Sequence, residues 1–523
     1  MLGLRFWTIA DSIVALGARH FGDLTTHRLP PAVLFGIFPQ RKTWTARAFN
    51  IIFALRPNTS KDLCWLSICE ASQLLRERKV SPVELTQLCL QRIERLNPKL
   101  NAFITVTAES ALDEAHKAET EIQKGRWRGP LHGIPVALKD LFDTAGLRTT
   151  AASAVFRDRV PNQDGEVVQR LKGAGAVLLG KLNMHEFAYG GSGIISFFGP
   201  TTNPWSREHI AGGSSSGSAA AVAAGMCYGA LGSDTGGSIR LPSAYCGIVG
   251  LKPTYGRVST RGVIPLSWSC DHVGPMARSA ADTAIMLQTI AGYDLEDATS
   301  IDALVPDYAA AMRETAALRV GIPRHYFYED LDPEIGTATA AVVSRIGKIA
   351  ANVREVKLPL ASDTMVLRAE AYAFHFETIQ KSPELYQPDT LRRMRSGEAI
   401  SGVDYIRTRR QMEEHRRAIL RLFDSVDVLI SPTTPCPPPT IADLIDDMEN
   451  LRDKEIVMLR NTRPFNALGL PTISIPCGFT KTGLPIGMQI TSGPWAEGTV
   501  LRVAHAYEHH SDWHALHPEL EGS

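Results

Sequence analysis

The chain has 523 residues, of which 44% are hydrophobic and 21% are charged, and its 55 Lys and Arg side chains balance its 55 Asp and Glu side chains. This composition is ordinary for a globular protein. Because the formal net charge is zero, no general electrostatic attraction to nucleic acid or to an anionic membrane is expected.

The eight cysteines contain no CxxC pair, and a chain of this length builds a core without cross-links. We therefore expect no disulfides, no metal, no cofactor and a cytoplasmic location. No stretch reaches the roughly 18 uninterrupted apolar residues of a membrane span, so no transmembrane segment is expected. Residues 1–60 carry scattered aromatic and arginine side chains and are predicted to form a helical extension, with contact to a membrane surface or a partner as the open alternative. Residues 61–523 are predicted to form one large domain.

The apolar pattern alternates between helical spacing and short buried runs. From Leu66 to Leu96 the spacing is helical, and Ser81-Pro82-Val83-Glu84 is typical of a helix start. Helices are also predicted over 108–124, over 166–172 and through most of 330–425. Strands are predicted over 134–138, 176–179, 319–322, 426–430, 472–475 and 486–490. This alternation indicates an α/β layered fold.

The segment from Gly212 to Gly225 consists of glycines and serines followed by alanines. Glycine permits close backbone approach, and the serine hydroxyls are suited to cap the helix that the alanines begin. By itself the pattern fits a tightly packed helix as well as it fits a site. Ser215 also lies in a Gly-x-Ser-x-Gly sequence, but the preceding residues 203–210 are polar and interrupted by proline, which is not typical of the strand that such a nucleophile follows.

A second glycine turn follows a short strand near Leu231 and leads to Ser238. Amides that converge at such a turn stabilise the oxyanion of acyl transfer, and each donor contributes about 3 kcal/mol. A serine nucleophile needs a base. Lys139, directly after the strand 134–138, suits that role if burial lowers its pKa. Taken singly, Ser238 fits a capping role equally well, and Lys139 fits a solvated strand end better.

Together these segments resemble the amidase-signature family, including the group of glutamyl-tRNA(Gln) amidotransferase A subunits. The matching segments are Gly133 to Asp140, Gly180 to Phe187, Gly212 to Gly225, Gly232 to Thr254, Asp271 to Pro275, Ser431 to Thr433 and Gly469 to Gln489. Their order, and the spacing of Ser214 and Ser238, make the joint signal specific over roughly residues 65–510.

The resemblance implies a fold and a set of site residues. The fold is the amidase-signature fold, a large twisted mixed β-sheet covered by helices on both faces. Ser238 corresponds to the nucleophile, Ser214 to a serine that follows a cis peptide bond and bridges nucleophile and base, and Lys139 to the base. The other implied positions are Thr235, Gly236 and Gly237 for the oxyanion, Asp234 and Arg240 for support of the turn, and Met184, Tyr189, Gly190 and Gly191 for substrate binding.

The implied activity is hydrolysis of an amide, a carbamate (urethane) or an ester of a small molecule through an acyl-enzyme. The stretch Ala369 to Glu377 offers aromatic residues where a glutaminase subunit would place an arginine for the glutamine carboxylate. We therefore favour an apolar or aromatic substrate. Two alternatives stay open: the glutaminase subunit of a tRNA-dependent amidotransferase, and a catalytically inactive interaction protein with the same fold. The resemblance also leaves a homodimer open.

Overall fold

The computed structural model describes residues 63–314, 318–348, 350–359 and 364–520. The predicted helical extension over residues 1–60 lies outside these residues and stays a prediction, as does the boundary at residue 61. The strands of the described part, in chain order, are β1 (Phe103–Val106), β2 (Pro135–Lys139), β3 (Val177–Leu182), β4 (Thr202–Asn203), β5 (Ser206–Ile210), β6 (Gly229–Ser233), β7 (Val249–Lys252), β8 (Val273–Ala277), β9 (Arg319–Ile322), β10 (Asn352–Glu355), β11 (Val428–Pro432), β12 (Thr472–Phe479) and β13 (Pro485–Ser492).

One mixed sheet of 11 strands organises the protein, in the order β1-β3-β2-β6-β8-β7-β12-β13-β11-β9-β10. Strands β3, β2 and β6 run parallel to one another, and so do β11, β9 and β10. The remaining neighbours pair antiparallel. The predicted α/β class and mixed sheet are confirmed.

The centre of the sheet is covered on both faces. Every residue of β2, β3 and β6 is buried. Since alternate residues of a strand point to opposite faces, full burial requires packing on each side. Lys139 is the last residue of β2, and the segment from Asp234 to Ser238 follows β6 directly.

Helices account for most of the remaining regular structure, and none of the described ones is long and apolar enough to cross a bilayer. They are Ile68–Arg76, Pro82–Leu100, Ala108–Gln123, Glu166–Gly173, Ser216–Ala223, Arg240–Cys246, Ala280–Ile290, Tyr308–Ala311, Arg324–Phe327, Pro333–Gly347, Thr364–Lys381, Pro388–Arg395, Gly402–Ala418, Leu420–Phe423, Ile441–Ile445, Leu451–Met458, Arg463–Ala467 and Glu497–Glu508, with short 3-10 turns at Ala154–Phe156, Glu186–Ala188, Pro383–Leu385 and Trp513–Ala515.

Most predicted elements are present within a few residues of their predicted bounds. The helical stretch from Leu66 to Leu96 is two helices, and the second begins where the sequence indicates, with the Ser81 hydroxyl accepting from the Glu84 amide at 3.0 Å. Strand β10 was missed inside the region predicted as helical. All four of its residues are exposed, so they show no alternation of apolar and polar side chains.

The expectation that residues 203–210 contain no strand is wrong. Strands β4 and β5 pair antiparallel across the Pro204-Trp205 corner, where the Asn203 side chain donates to the Ile210 carbonyl at 3.1 Å. A short ribbon held in this way does not need an apolar sequence. The Ser215 side chain that follows this ribbon is buried and donates to the Ser233 carbonyl at 3.2 Å.

Replacing Gly217 with alanine tests the close packing of the helix Ser216–Ala223. An added Cβ would lie 2.3 Å from the Ala102 carbonyl oxygen and 2.6 Å from the Asn183 amide nitrogen, and both are backbone atoms with little freedom to move. We expect Gly217→Ala to lower the free energy of unfolding by about 1–3 kcal/mol in urea titrations. The matched control is Gly336→Ala in the helix Pro333–Gly347, where nothing lies within 4 Å; it should be neutral or stabilise by up to about 1 kcal/mol. Equal effects of the two changes would contradict the packing argument.

Candidate active site

The site begins where two parallel strands end side by side. Strands β2 and β6 are neighbours with Leu138 opposite Leu231, so Lys139 and Ser233 both lie at the carboxyl edge of the sheet. The Lys139 Nζ donates to the Ser233 Oγ at 2.8 Å. Sequence reasoning did not assign a role to Ser233, although its position directly before Asp234 was a usable signal.

Ser214 lies against the same amine. The Gly213–Ser214 peptide bond is cis, and the Ser214 Oγ is 2.7 Å from the Lys139 Nζ. The backbone around Ser214 is anchored on both sides, because the His185 amide donates to the Ser214 carbonyl at 3.0 Å and the Gly213 amide donates to the Gly191 carbonyl at 2.7 Å. The predicted contact between Lys139 and Ser214 is therefore present.

Burial controls the charge of Lys139. Its side chain is fully buried, and this burial lowers the pKa of Lys139 to about 7, although the carboxylates of Asp234 and Asp271 favour the ammonium form. A substantial neutral fraction is thus available near neutral pH. Burial also lowers the pKa of Lys181, to about 8, but that amine donates to the Thr149 hydroxyl at 2.8 Å and lies outside the site.

Ser238 lies in the turn between β6 and the helix Arg240–Cys246. It is 5% exposed and contributes to the wall of a narrow cleft. The Ser215 amide donates to the Ser238 carbonyl at 3.2 Å, which brings the chain segment after Ser214 against this turn. Three segments distant in sequence thus meet at one edge of the sheet.

The amides of the turn differ in availability. Among the hydrogen bonds of the described residues, none has the amide of Thr235, Gly236 or Ser238 as its donor, and all three residues border the cleft. Gly237 is the exception to the predicted oxyanion set, because its amide donates to the Asp234 Oδ1 at 2.7 Å. The arrangement offers three unengaged amides to an oxygen atom in the cleft.

Asp234 and Arg240 form a fully buried ion pair beneath the turn, with 3.0 Å between Arg240 Nε and Asp234 Oδ2. Burial alone would raise the pKa of Asp234, but the Arg240 guanidinium outweighs it and holds the pKa below its usual range. Asp234 also accepts from the Ile239 amide at 3.2 Å and from the Asn466 side chain at 2.8 Å. These contacts fix the shape of the glycine turn from below.

The glycine at position 237 is required by close packing. Its φ is +133°, and a Cβ at this position would lie 2.1 Å from the Thr462 Oγ1. The Thr462 hydroxyl in turn donates to the Gly236 carbonyl at 2.7 Å. The segment around Thr462 therefore braces the turn together with Asp234.

Asp271 supports the turn without having been predicted to do so. The Thr235 hydroxyl donates to the Asp271 Oδ1 at 2.6 Å, and the amides of Leu266 and Ser267 donate to its other oxygen at 2.9 and 3.0 Å. Burial raises the pKa of Asp271 to about 6. In the sequence Asp271 stood out only as part of a family motif, which gives no indication of its partner.

The predicted substrate-binding residues divide into two groups. Tyr189 and Gly190 border the cleft, whereas Met184 is buried and Gly191 is not part of the cleft wall. The other wall residues were not predicted, because they come from distant parts of the chain. They are Ala188, Leu266, Leu367, Arg452, Leu459 and Arg463. Within the described residues, no group of three or more His, Cys, Asp or Glu side chains is arranged to hold a metal ion.

Comparison with known proteins agrees with this geometry. The family model described as Amidase matches residues 84–501. The glutamyl-tRNA(Gln) amidotransferase A subunit from Geotalea daltonii is 42% identical over 87% of this chain and 99% of its own length. An amidase of Pseudomonas putida is 40% identical over 88% of this chain and 98% of its own length. A chain in a solved vestigial protein complex related to the origins of an s-triazine catabolic enzyme superposes with a TM-score of 0.80 and 32% identity over 85% of this chain and 99% of its own length.

The mixed α/β sheet and the amidase relatives place the chain in the amidase class of hydrolases. The match over residues 84–501 makes the assignment specific: the chain belongs to the amidase-signature family. It is an enzyme that hydrolyses carbon–nitrogen bonds.

The low pKa of Lys139 predicts a particular dependence of stability on pH. Between the folded pKa of about 7 and the ordinary lysine pKa of 10.5, the unfolded chain binds a proton at this position that the folded chain does not. The free energy of unfolding of the wild type, relative to Lys139→Met, should therefore rise with pH across this window, by up to about 1.4 kcal/mol per pH unit, and should level off below pH 7. Urea titrations at several pH values measure this difference.

The control is Lys124→Met, because Lys124 is exposed. Its difference from the wild type should not change with pH in that window. A flat difference for Lys139→Met as well would show that Lys139 stays protonated in the folded protein.

Proposed function

We propose that the protein is a serine amidase in which Ser238 is the nucleophile, Ser214 relays protons and neutral Lys139 is the base. The observation that carries the proposal is the fully buried Lys139 amine, with its pKa of about 7, lying 2.7 Å from the Ser214 hydroxyl oxygen. A neutral amine in contact with a hydroxyl is the arrangement needed to activate a serine without histidine.

The first half of the reaction acylates Ser238. Lys139 accepts the Ser214 proton while Ser214 accepts the Ser238 proton, and the Ser238 oxygen attacks the substrate carbonyl carbon. Negative charge develops on the carbonyl oxygen, where the unengaged amides of Thr235, Gly236 and Ser238 are available to donate. Such preorganised donors contribute about 3 kcal/mol each to lowering the barrier.

The second half releases the products. The proton held by Lys139 passes through Ser214 to the leaving nitrogen, the carbon–nitrogen bond breaks and the amine departs. Water then attacks the ester on Ser238 and gives its proton to the same relay. The carboxylic acid leaves, and Ser238 regains its hydroxyl hydrogen.

The cleft supports a small substrate with an apolar or aromatic part. Leu266, Leu367 and Leu459 form apolar surface beside Ser238, and the Tyr189 ring lies next to them. Carbamates and esters pass through the same tetrahedral intermediate, so urethane hydrolysis belongs to the same proposal.

A second candidate is the glutaminase subunit of a tRNA-dependent amidotransferase, which works together with a tRNA-binding partner. It is supported by relatives that carry that name, such as the Geotalea daltonii protein at 42% identity. The sequence argument against it was the lack of an arginine in Ala369 to Glu377. That argument is weakened, because Arg452 and Arg463 reach the cleft from elsewhere in the chain.

Substitution of the three residues tests the mechanism. Ser238→Ala, Ser214→Ala and Lys139→Met should each lower the rate of amide hydrolysis by at least about 10³-fold, because the residues act as one unit. Combining two of these substitutions should lower the rate of hydrolysis little more than one substitution alone does. Mass spectrometry should find a fluorophosphonate adduct on Ser238 in the wild type.

The matched control is Ser215→Ala, which removes a neighbouring hydroxyl bonded to the Ser233 carbonyl. Its activity should stay within about tenfold of the wild type, since one neutral hydrogen bond contributes about 1 kcal/mol. Loss of activity in Ser215→Ala but not in Ser238→Ala would assign the nucleophile to Ser215. If Ser238 takes no label and no amide, carbamate or ester is cleaved, the chain is an inactive member of the family.

A substrate panel distinguishes the two candidate functions. We expect small aryl and alkyl amides to be hydrolysed with a higher kcat/KM than free glutamine, because the apolar wall contributes binding energy of about 25 cal/mol per Å² buried. A matched amide, carbamate and ester series then ranks the scissile bonds. Hydrolysis of glutamine alone would favour the glutaminase.

A further inference from the structure

The segment of residues 189–193 connects the wall of the cleft with the proposed proton relay. Its first two residues border the cleft beside Ser238. Two residues further along the chain, the Gly191 carbonyl accepts a hydrogen bond from the Gly213 amide at 2.7 Å, directly before Ser214. A shift of this segment would therefore move the serine that is proposed to relay protons.

A buried carboxylate on the helix Leu451–Met458 holds this segment. The Glu455 Oε1 accepts from the Ser192 amide at 3.0 Å and from the Ser192 hydroxyl at 2.6 Å. Glu455 is fully buried, where a hydrogen bond to a charged acceptor is stronger than in water. Arg452, one turn earlier on the helix, approaches the other carboxylate oxygen only to 3.4 Å.

The main cationic partner of Glu455 is Arg393, which is also buried. The Arg393 Nη1 donates to the Tyr189 carbonyl at 2.6 Å as well, so the same ion pair reaches the segment at its first residue. Arg393 also pairs with Asp389, which Arg392 shares. Burial opposes ionisation of Glu455, but Arg393 outweighs this and lowers the pKa of Glu455 to about 2. The carboxylate therefore stays charged at neutral pH.

His185 packs behind the same segment. A Cβ on Gly190 would lie 2.1 Å from the His185 Cε1, so the ring fills the space behind this residue. Burial lowers the pKa of His185 to about 4, so the ring is neutral near pH 7, and its Nδ1 accepts from the Gly193 amide at 3.3 Å. Contacts along its whole length thus hold the segment in place.

We propose that Glu455 is a positioning residue, which fixes the segment 189–193 and through it the relay serine Ser214. This inference rests on the proposed amidase function of the same cleft. Glu455 acts through Ser192 and does not touch the substrate. Because misplacement of a reacting group by about 1 Å lowers a rate by up to about 100-fold, the contacts of Glu455 should set the turnover of each active site as well as stability.

The first test is Glu455→Gln, which keeps the shape of the side chain. An amide has one acceptor oxygen and one NH2 group, so either the hydrogen bonds from Ser192 or the contact with Arg393 must be lost. Active sites are counted by mass spectrometry after complete labelling of Ser238 with a fluorophosphonate. For a small aryl amide we expect kcat per labelled site to fall by about 10- to 100-fold.

The second test is Ser192→Ala, which removes one hydroxyl and leaves the ion pair between Glu455 and Arg393 intact. It keeps the inference falsifiable if Glu455→Gln does not fold. We expect kcat per labelled site to fall by at least about threefold, because the segment loses one of its hydrogen bonds to a buried charge.

Two controls match these changes. Ser196→Ala removes a buried hydroxyl that donates to the Asn183 Oδ1 at 2.8 Å, outside the segment 189–193, and Glu449→Gln neutralises an exposed carboxylate. Both should keep kcat per labelled site within about twofold of the wild type, since neither touches the segment.

A purely structural role of Glu455 would lower the free energy of unfolding and the number of labelled sites but leave kcat per site unchanged. That result in Ser192→Ala or in folded Glu455→Gln, a rise in KM without a fall in kcat, or an equal loss of kcat in Ser196→Ala would each overturn the inference. Failure of the amidase function would instead appear in the wild type, as no label on Ser238 and no cleavage of any amide, carbamate or ester.

Discussion

The proposed mechanism depends on keeping the Lys139 amine uncharged in a place that contains carboxylates. Burial disfavours the Lys139 ammonium, while Asp234 and Asp271 favour it, and the balance leaves the pKa of Lys139 near 7. Asp234 can lie so close without fully recharging the lysine because Arg240 pairs with it at 3.0 Å. The buried ion pair therefore has two consequences: it holds the glycine turn and it limits the field at Lys139.

The parallel part of the sheet explains why Lys139 lies beside the turn that carries Ser238. Strands β2 and β6 are adjacent and end at the same edge, so a lysine after one strand and a serine turn after the other become neighbours. Ser214 lies two residues before the helix Ser216–Ala223, and the contact of Gly217 with the Asn183 backbone holds the start of that helix close to the end of β3. Backbone packing, more than side-chain contact, sets this geometry.

The sequence indicated the parts of the site that lie in continuous segments. Lys139 after a buried strand and Ser238 after two glycines both follow from local pattern, and the family motifs add Ser214. Ser233, Thr462 and Arg463 were not recognised, because their roles depend on contacts between segments more than 70 residues apart. The strand β10 and the ribbon β4–β5 were missed for another reason: most of their residues are polar or exposed, so the sequence carries little strand pattern.

The brace formed by Thr462 divides the cleft into a part that tolerates change and a part that does not. Leu367 packs into the core and Arg452 pairs with Glu455, and no hydrogen bond among the described residues joins either side chain to the glycine turn. Thr462, in contrast, donates to the Gly236 carbonyl and accepts a hydrogen bond at its own carbonyl from Arg240. Selection for new substrates can therefore proceed at positions 367 and 452 while the acylation machinery stays intact. A change of specificity at Thr462 would have to preserve its contacts with Gly236 and Arg240, and with them the shape of the glycine turn, at every step.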